Sequence, residues 1–432
     1  MSRLIKSVSM FLACVVCLTV FAGAIESIDI NSKASILIDA TDGHEIYSEN
    51  ADTKQYPASI TKLMTALLVA ENVPDWSEEI VANKSAFEGL SDAGSSVGIK
   101  AGEKMSVDNL VICLLVASAN EAANILAERV SGSVDAFVEL MNSRAAELGL
   151  TGTHFANTNG LHDDDHYTTA RDVAIIAMEV RKHPRLREIY GMDKATIPAT
   201  NISEERFFFT TNSLISRYKE LGYIYSRANG MKTGSTTPAG LCLVASAEYG
   251  GKELISVVLG ATKDEETGKK GHFVESKKLL VWGFENFKYA TLLLSSQAVC
   301  EVHVECAKDR DYVVAHTERD YEVLMPKDYD ESKVELVTST QTELTAPVKK
   351  GDAIGTVTIK YDGKEYETLN LVAADDVDRS IIAYAINAVG RFIKSPMAFI
   401  VLGVLLIVIA AYIIYVIRYN RRRKNRRRRY YR

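Results

Sequence analysis

A chain of 432 residues, 47% hydrophobic and 25% charged, is long and apolar enough for at least two cored domains with appendages, which excludes a disordered polymer. The net charge of −6 conceals an asymmetry: the last 15 residues hold ten of the 50 bases, the first 24 hold two, and neither holds an acid, so residues 25–417 set 56 acids against 38 bases and carry −18. An acidic body of this kind excludes nucleic acid as a partner.

At the N-terminus, Arg3 and Lys6 precede an apolar run from Val8 to Phe21 that closes with Ala22-Gly23-Ala24. That is the form of a secretory signal peptide, residues 1–24, cleaved after Ala24 and taking Cys14 and Cys17 with it. Ala34 to Ala40 and His44 to Tyr47 then read as two strands around the turn Thr41-Asp42-Gly43. In Tyr56-Pro57-Ala58-Ser59-Ile60-Thr61-Lys62, Pro57 stops any earlier regular structure, and Ile60, Leu63, Met64, Leu67 and Leu68 recur at helical spacing. Ser59 is thereby placed at a helix start with Lys62 one turn above it, a candidate nucleophile beside a candidate base. The unpaired N–H groups of a helix start also suit an oxyanion. The pair is not decisive alone. Ser216-Arg217-Tyr218-Lys219 repeats the spacing, and an ordinary cap with a solvated lysine accounts equally for Ser59 and Lys62.

Ser106 caps a helix running through Leu110 to Ala117, and Ser118-Ala119-Asn120 stands between it and a second helix, Glu121 to Val130. A third follows from Val134 to Leu148. The polar loop Asn157 to Tyr167 leads through Thr168-Thr169-Ala170-Arg171-Asp172 into a capped helix ending near Lys182. His162 and His166 flank three aspartates there without metal-ligand spacing, so turn and cap chemistry is the expectation, with no metal and no cofactor. From Asn229 the pattern turns to strands: Lys232-Thr233-Gly234-Ser235, then Gly240 to Ala247 and Glu253 to Leu259 as a buried antiparallel hairpin, with Gly234 leaving room for a close approach. An amphipathic helix from Val274 to Tyr289 closes this first domain, residues 25–291.

Short alternating runs with turns such as Asp362-Gly363 mark a smaller all-β domain over 292–375. Cys113 and Cys242 read as buried thiols, while a bridge between Cys300 and Cys306 stays open. A juxtamembrane helix occupies 376–396. Met397 to Ile417 holds no charged residue, and its 21 residues make about 31 Å of helix, enough to span a bilayer. The basic tail 418–432 is then cytoplasmic by the positive-inside rule.

The order Ser59-x-x-Lys62, Ser118-x-Asn120, Lys232-Thr233-Gly234 in an exported chain matches the serine acyl-transferases that act on penicillin and D-alanyl peptides; a second Ser-x-Asn, Ser48-Glu49-Asn50, lies in the predicted hairpin. Residues 25 to about 375 resemble the low-molecular-mass penicillin-binding proteins, serine-type D-Ala-D-Ala carboxypeptidases. Pro57 to Lys62, Ser118 to Asn120, the loop from Asn159-Gly160-Leu161 to Asp172, Lys232 to Gly234 and Glu275-Ser276-Lys277-Lys278-Leu279-Leu280 carry the likeness. The resemblance implies an α+β catalytic domain, a five-stranded antiparallel sheet flanked by helices with a helical lobe, followed by a small all-β domain and one C-terminal transmembrane helix. It also implies that Ser59 forms an acyl-enzyme, Lys62 acts as base, Ser118 relays a proton, and Asn120 holds the substrate amide. Lys232 and Thr233, beside Gly234, would face the terminal carboxylate, and the N–H groups of Ser59 and Ser235 would form the oxyanion hole. The partners implied are peptidoglycan stem peptides ending in D-Ala-D-Ala, β-lactam antibiotics and the membrane. As base, Lys62 needs a pKa lowered from about 10.4 to roughly 7 or 8, by desolvation and by Lys232.

One position departs from the pattern. His272 stands where related enzymes place a carboxylate-binding arginine, with Lys269 and Lys270 as possible substitutes, and an unperturbed imidazole would change charge near pH 6.5. Two other readings compete. A serine β-lactamase shares the three motifs but needs neither the β domain nor the span, and against a non-catalytic penicillin- or peptidoglycan-binding module stands the complete catalytic set.

Overall fold

Strand Ala34–Asp39 alternates its side chains between two apolar layers: Ile36 and Ile38 face one core and Leu37 the other. In the computed structural model, which describes residues 27–90, 94–341 and 344–430, this strand lies second in a five-stranded sheet. The order is Glu45–Glu49, Ala34–Asp39, Lys252–Ala261, Gly240–Tyr249, Ala228–Thr236, with antiparallel pairing throughout. Lys252–Ala261 sits at the centre and is buried along its whole length, with Ile255, Val257 and Leu259 on one side and Leu254 and Val258 on the other. Burial on both faces explains its unbroken apolar run. The signal-peptide reading of residues 1–24 lies outside the described residues.

One face of the sheet is covered by helix Gly271–Asn286 through Phe273, Leu279, Leu280 and Phe284. The other packs against a helical lobe: Lys62–Asn72, Val107–Val116, Asn120–Ser131, Val134–Glu147, Ala170–Arg181 and Pro184–Tyr190. The caps are those the sequence signals. Ser106 Oγ accepts from the Asn109 N–H at 3.2 Å, and Thr169 Oγ1 from the Asp172 N–H at 3.1 Å.

The helix expected over Val274 to Tyr289 instead runs from Gly271 to Asn286, and Phe287–Leu293 is a strand. Two contacts set these ends. The Gly271 N–H bonds the Thr262 carbonyl at 2.9 Å, while Lys252 Nζ donates to the carbonyls of Phe284 and Phe287, at 3.1 and 2.7 Å, capping the C-terminus from across the sheet. Two ribbons escape sequence periodicity altogether, Glu79–Val81 with Lys104–Ser106 and Lys194–Ile197 with Arg206–Phe209. They are too short to show a period. Fully buried Glu103, at the foot of the first, is ion-paired to Arg206 of the second at 2.6 Å and takes hydrogen bonds from Thr200 and Ser203.

Residues up to Tyr289, together with Leu324–Tyr329, form one unit, and Ala290–Val323 with Asp330 onward form a second. The second contains a six-stranded sheet in the order Val334–Thr340, Ala353–Tyr361, Lys364–Ala373, Tyr312–Thr317, Cys300–Glu305, Leu344–Thr345. Val302, Val304, Val313, Val357, Ile359 and Leu371 are buried in it. Cys300 and Cys306 are free thiols, the first opening strand Cys300–Glu305 and the second directly following it. That places them roughly 17–20 Å apart, far beyond disulfide reach. Helix Ile381–Lys394, capped by Ser380, exposes Ile382, Ile386, Val389 and Ile393, and helix Pro396–Tyr430 follows. Its Pro396–Arg422 portion is long and apolar enough to cross a membrane.

Candidate active site

Ser59 lies on a single 3₁₀ turn, Ala58–Thr61, which feeds directly into the α-helix beginning at Lys62. A 3₁₀ turn eclipses residues three apart, so the tighter geometry brings the Ser59 and Lys62 side chains together. Lys62 Nζ stands 2.8 Å from Ser59 Oγ, 2.7 Å from Asn120 Oδ1 and 2.7 Å from the Asn159 carbonyl oxygen. The amine is fully buried, and its pKa is held well below the usual lysine value by desolvation first and the nearby Lys232 charge second, with Glu121 opposing. The three partners define what a neutral amine does here. Asn120 Oδ1 and the Asn159 carbonyl can only accept, so they take both N–H bonds and leave the nitrogen lone pair for the Ser59 hydroxyl proton.

Asn120 and Ser118 arrive from the corner between helices Val107–Val116 and Asn120–Ser131. Ser118 adopts φ +64, a left-handed conformation rare for a residue with a Cβ, and the corner is pinned by the Ala119 N–H on the Cys113 carbonyl at 3.0 Å and the Asn120 N–H on the Ser95 carbonyl at 2.9 Å. The third wall is edge strand Ala228–Thr236. Lys232 is fully buried, donates to the Thr233 carbonyl at 2.9 Å, and is pushed down to about 7 by desolvation. Gly234 passes against the nucleophile turn: a Cβ there would lie 2.9 Å from the Pro57 oxygen and 3.1 Å from the Ser59 nitrogen. Thr233 Oγ1 donates to Thr211 Oγ1 at 2.7 Å.

These segments enclose a cavity of about 360 Å³ lined by Ser59, Ser95, Ser118, Thr211, Thr233, Gly234, Ser235, Lys270 and His272. Lys62 is joined to this lining through its bond to Ser59, and Asn120 through its bond to Lys62. A larger cavity, about 770 Å³ between Arg187, Met192, Arg217 and Asn229, contains none of these groups.

Residues 21–263 match the family described as D-alanyl-D-alanine carboxypeptidase, and residues 287–379 match the C-terminal domain of penicillin-binding protein 5. The chain belongs to the D-alanyl-D-alanine carboxypeptidase family. It is 30% identical over 368 residues to D-alanyl-D-alanine carboxypeptidase DacF of Bacillus subtilis, covering 84% of this chain and 90% of that one. It is 33% identical over 369 residues to DacC of Escherichia coli, covering 83% and 88%. The crystal structure of penicillin binding protein 5 from Haemophilus influenzae superposes with a TM-score of 0.68 at 32% identity, over 82% of this chain and 100% of that one. The α+β architecture expected from the sequence, with its five-stranded antiparallel sheet and following all-β domain, is the one observed.

For this carboxypeptidase-family chain the cavity corrects one expectation. His272 lines it but is 4% exposed, and burial, helped by the Lys270 charge, lowers its pKa to about 4 rather than leaving it near 6.5. The imidazole is neutral at physiological pH. Of the two neighbouring lysines, Lys270 reaches the cavity and pairs with Glu220 at 2.7 Å, whereas Lys269 is not among the lining residues. Neither repeat motif approaches the site. Ser216 is fully buried and its Oγ accepts the Lys219 N–H at 3.1 Å, closing a turn, and Ser48 donates to Glu45 on the edge strand at 2.7 Å.

In the aspartate-rich loop Asp163 Oδ1 accepts the Asp165 N–H at 2.8 Å, which is turn chemistry, while His166 points inward to Thr61. Thr211, the Asn159 carbonyl and Gly160 are contributors that sequence reasoning did not assign. Thr211 and the carbonyl carry no spacing signal, but a glycine directly after Asn159, in a polar loop before a capped helix, was a usable sign of a tight approach.

Proposed function

We propose that this chain removes the terminal D-alanine from peptidoglycan stem peptides ending in D-Ala-D-Ala, through an acyl-enzyme on Ser59, and that penicillin acylates the same oxygen. The observation that carries this reading is the bonding of Lys62: a buried amine with two obligate acceptors and, as its third neighbour at 2.8 Å, the Ser59 hydroxyl. The neutral amine takes the hydroxyl proton as Ser59 Oγ attacks the penultimate carbonyl, and the N–H groups of Ser59 and Ser235 meet the oxyanion. Collapse breaks the peptide C–N bond, with the proton delivered to the departing amine through Ser118. Water then frees the shortened peptide and restores the serine. Asn120 holds the substrate amide, and Thr233 and Lys232 face the terminal carboxylate, with Lys270 also lining the cavity. His272, neutral, supplies a polar edge and no charge.

In this reading residues 25–291 are the catalytic domain, exported behind the leader 1–24. Residues 292–375 form the β domain and 376–396 the juxtamembrane helix, while 397–417 anchor it in the membrane and leave tail 418–432 in the cytoplasm. A D-Ala-D-Ala pentapeptide incubated with the protein should lose one D-alanine by mass, and Ser59→Ala should neither do this nor acquire the mass of penicillin. Given a cross-linked pair of such peptides instead, cleavage at the cross-link with the terminal D-alanine retained would point to an endopeptidase, and a penicillin adduct on Ser59→Ala would overturn the nucleophile.

A further inference from the structure

The residue before the nucleophile is under strain. Ala58 has φ +47, in the left-handed region that costs a residue with a Cβ about 1–2 kcal/mol, so the turn presenting Ser59 persists only if its surroundings hold it. Its carbonyl oxygen accepts from Thr61 Oγ1 at 2.8 Å, and Thr61 Oγ1 lies 2.7 Å from His166 Nε2. The other ring nitrogen, Nδ1, accepts the Ala156 N–H at 3.1 Å. This assigns the tautomer. Nδ1 is an acceptor, so Nε2 carries the proton and donates to Thr61, whose own proton is committed to Ala58. His166 is 2% exposed, stands edge-on to Phe155, and is kept neutral by desolvation, which lowers its pKa to about 4. It does not line the cavity.

We propose that His166 is a positioning residue for the nucleophile: as the Nε2–H tautomer it locks the Thr61 hydroxyl onto the Ala58 carbonyl and so holds the strained turn that aims Ser59 at Lys62. The proposal rests on Ser59 being the nucleophile. It assigns the loop Asn157 to Tyr167 a double function, since the Asn159 carbonyl of the same loop orients Lys62. One side of the loop sets the base and the other sets the hydroxyl.

The test compares variants of the full-length protein. The amide nitrogen of Gln occupies the place of Nε2 and can donate to Thr61, whereas the Asn side chain reaches only the Nδ1 position, so His166→Asn breaks the chain and His166→Gln restores it. His166→Asn and Thr61→Val should each slow acylation by penicillin at saturation roughly 10- to 100-fold, as expected for a displacement of up to about an ångström at the reacting atom. The concentration for half-saturation should stay unchanged, because neither residue faces the bound ligand. His166→Gln should recover most of the rate, and the double variant His166→Asn with Thr61→Val should lose no more than either single change. Wild-type acylation at saturation in His166→Asn, a loss confined to the half-saturation concentration, or additive losses in the double variant would overturn the proposal. Melting temperatures serve as the control: a lower melting point with an unchanged rate also counts against it. Failure of the nucleophile assignment is separately visible as an adduct on Ser59→Ala.

Discussion

Gly160 offers the sharpest perturbation of the site without touching a reacting group. Its φ is +86, and a Cβ built on it would lie 1.8 Å from the Ala58 oxygen, 2.3 Å from the Ala58 carbonyl carbon and 2.9 Å from the Ser59 nitrogen. Non-bonded carbon contacts settle near 3.5 Å or beyond, so Gly160→Ala must drive loop and turn apart by about 1.5 Å. The obstacle is backbone, which cannot rotate away as a side-chain tip would. Ser59 Oγ, now 2.8 Å from Lys62 Nζ, leaves hydrogen-bond range under such a shift, and a misplacement of this size costs on the order of 10²-fold in rate. A left-handed alanine adds about 1–2 kcal/mol of instability, a melting point lower by roughly 2–8 °C for a domain of this size. Gly149 is the control: its φ is +73, with nothing within 4 Å of the virtual Cβ, so Gly149→Ala meets the same backbone penalty without the collision. Time courses of fluorescent-penicillin labelling with parallel melts should show Gly149→Ala losing stability only and Gly160→Ala losing both. Equal labelling rates in the two variants would refute the contact between loop and nucleophile turn.

Lys232 is fully buried with a pKa near 7, against 10.5 for the free side chain. The unfolded chain therefore binds more protons between those values, and burial costs roughly 4 kcal/mol at pH 7 that fades as the pH rises to the unfolded pKa. Lys232→Met should abolish penicillin labelling yet raise the melting point at pH 7, with the gain shrinking by pH 10; a lowered melting point would contradict the desolvation argument. His166 and His272, both held near 4 by burial, act on the acid side. Their folded pKa lies below the unfolded 6.5, so stability is complete above pH 6.5 and falls by about 3 kcal/mol for each histidine as the pH drops towards 4; urea midpoints that stay flat over this window would exclude it. Lys270→Ala should raise KM for a D-Ala-D-Ala peptide roughly five- to thirtyfold, the effect of about 1–2 kcal/mol from a partly screened charge contact. Lys269→Ala should leave KM unchanged, and KM should show no step near pH 6.5, where a titrating His272 would have placed one. Ser216→Ala should label with penicillin as the wild type does, since that hydroxyl is sealed in a turn.

The chemistry was legible where it imposes residue types at short spacing. Ser59 and Lys62 must share one turn, Ser118 and Asn120 one corner, and Lys232 to Ser235 one strand, so each motif survives in the linear text. The central sheet was legible for a related reason, because strands buried on both faces cannot hide their apolar runs. What escaped depends on contacts that no short window contains. Thr61 meets His166 across 105 residues and Lys62 meets the Asn159 carbonyl across 97, and a backbone carbonyl has no sequence signature at all. The titration of His272 was not legible for a physical reason of the same kind: residue type sets the reference pKa near 6.5, but burial, a property of the fold, lowers it to about 4. The reacting groups come from three motifs, yet the strained Ala58 conformation that aims Ser59 and one of the two acceptors that turn the Lys62 lone pair towards it both depend on one loop, Asn157 to Tyr167, from which buried His166 reaches the turn through Thr61. Altering that loop should therefore change the rate of acylation while every motif residue stays in place.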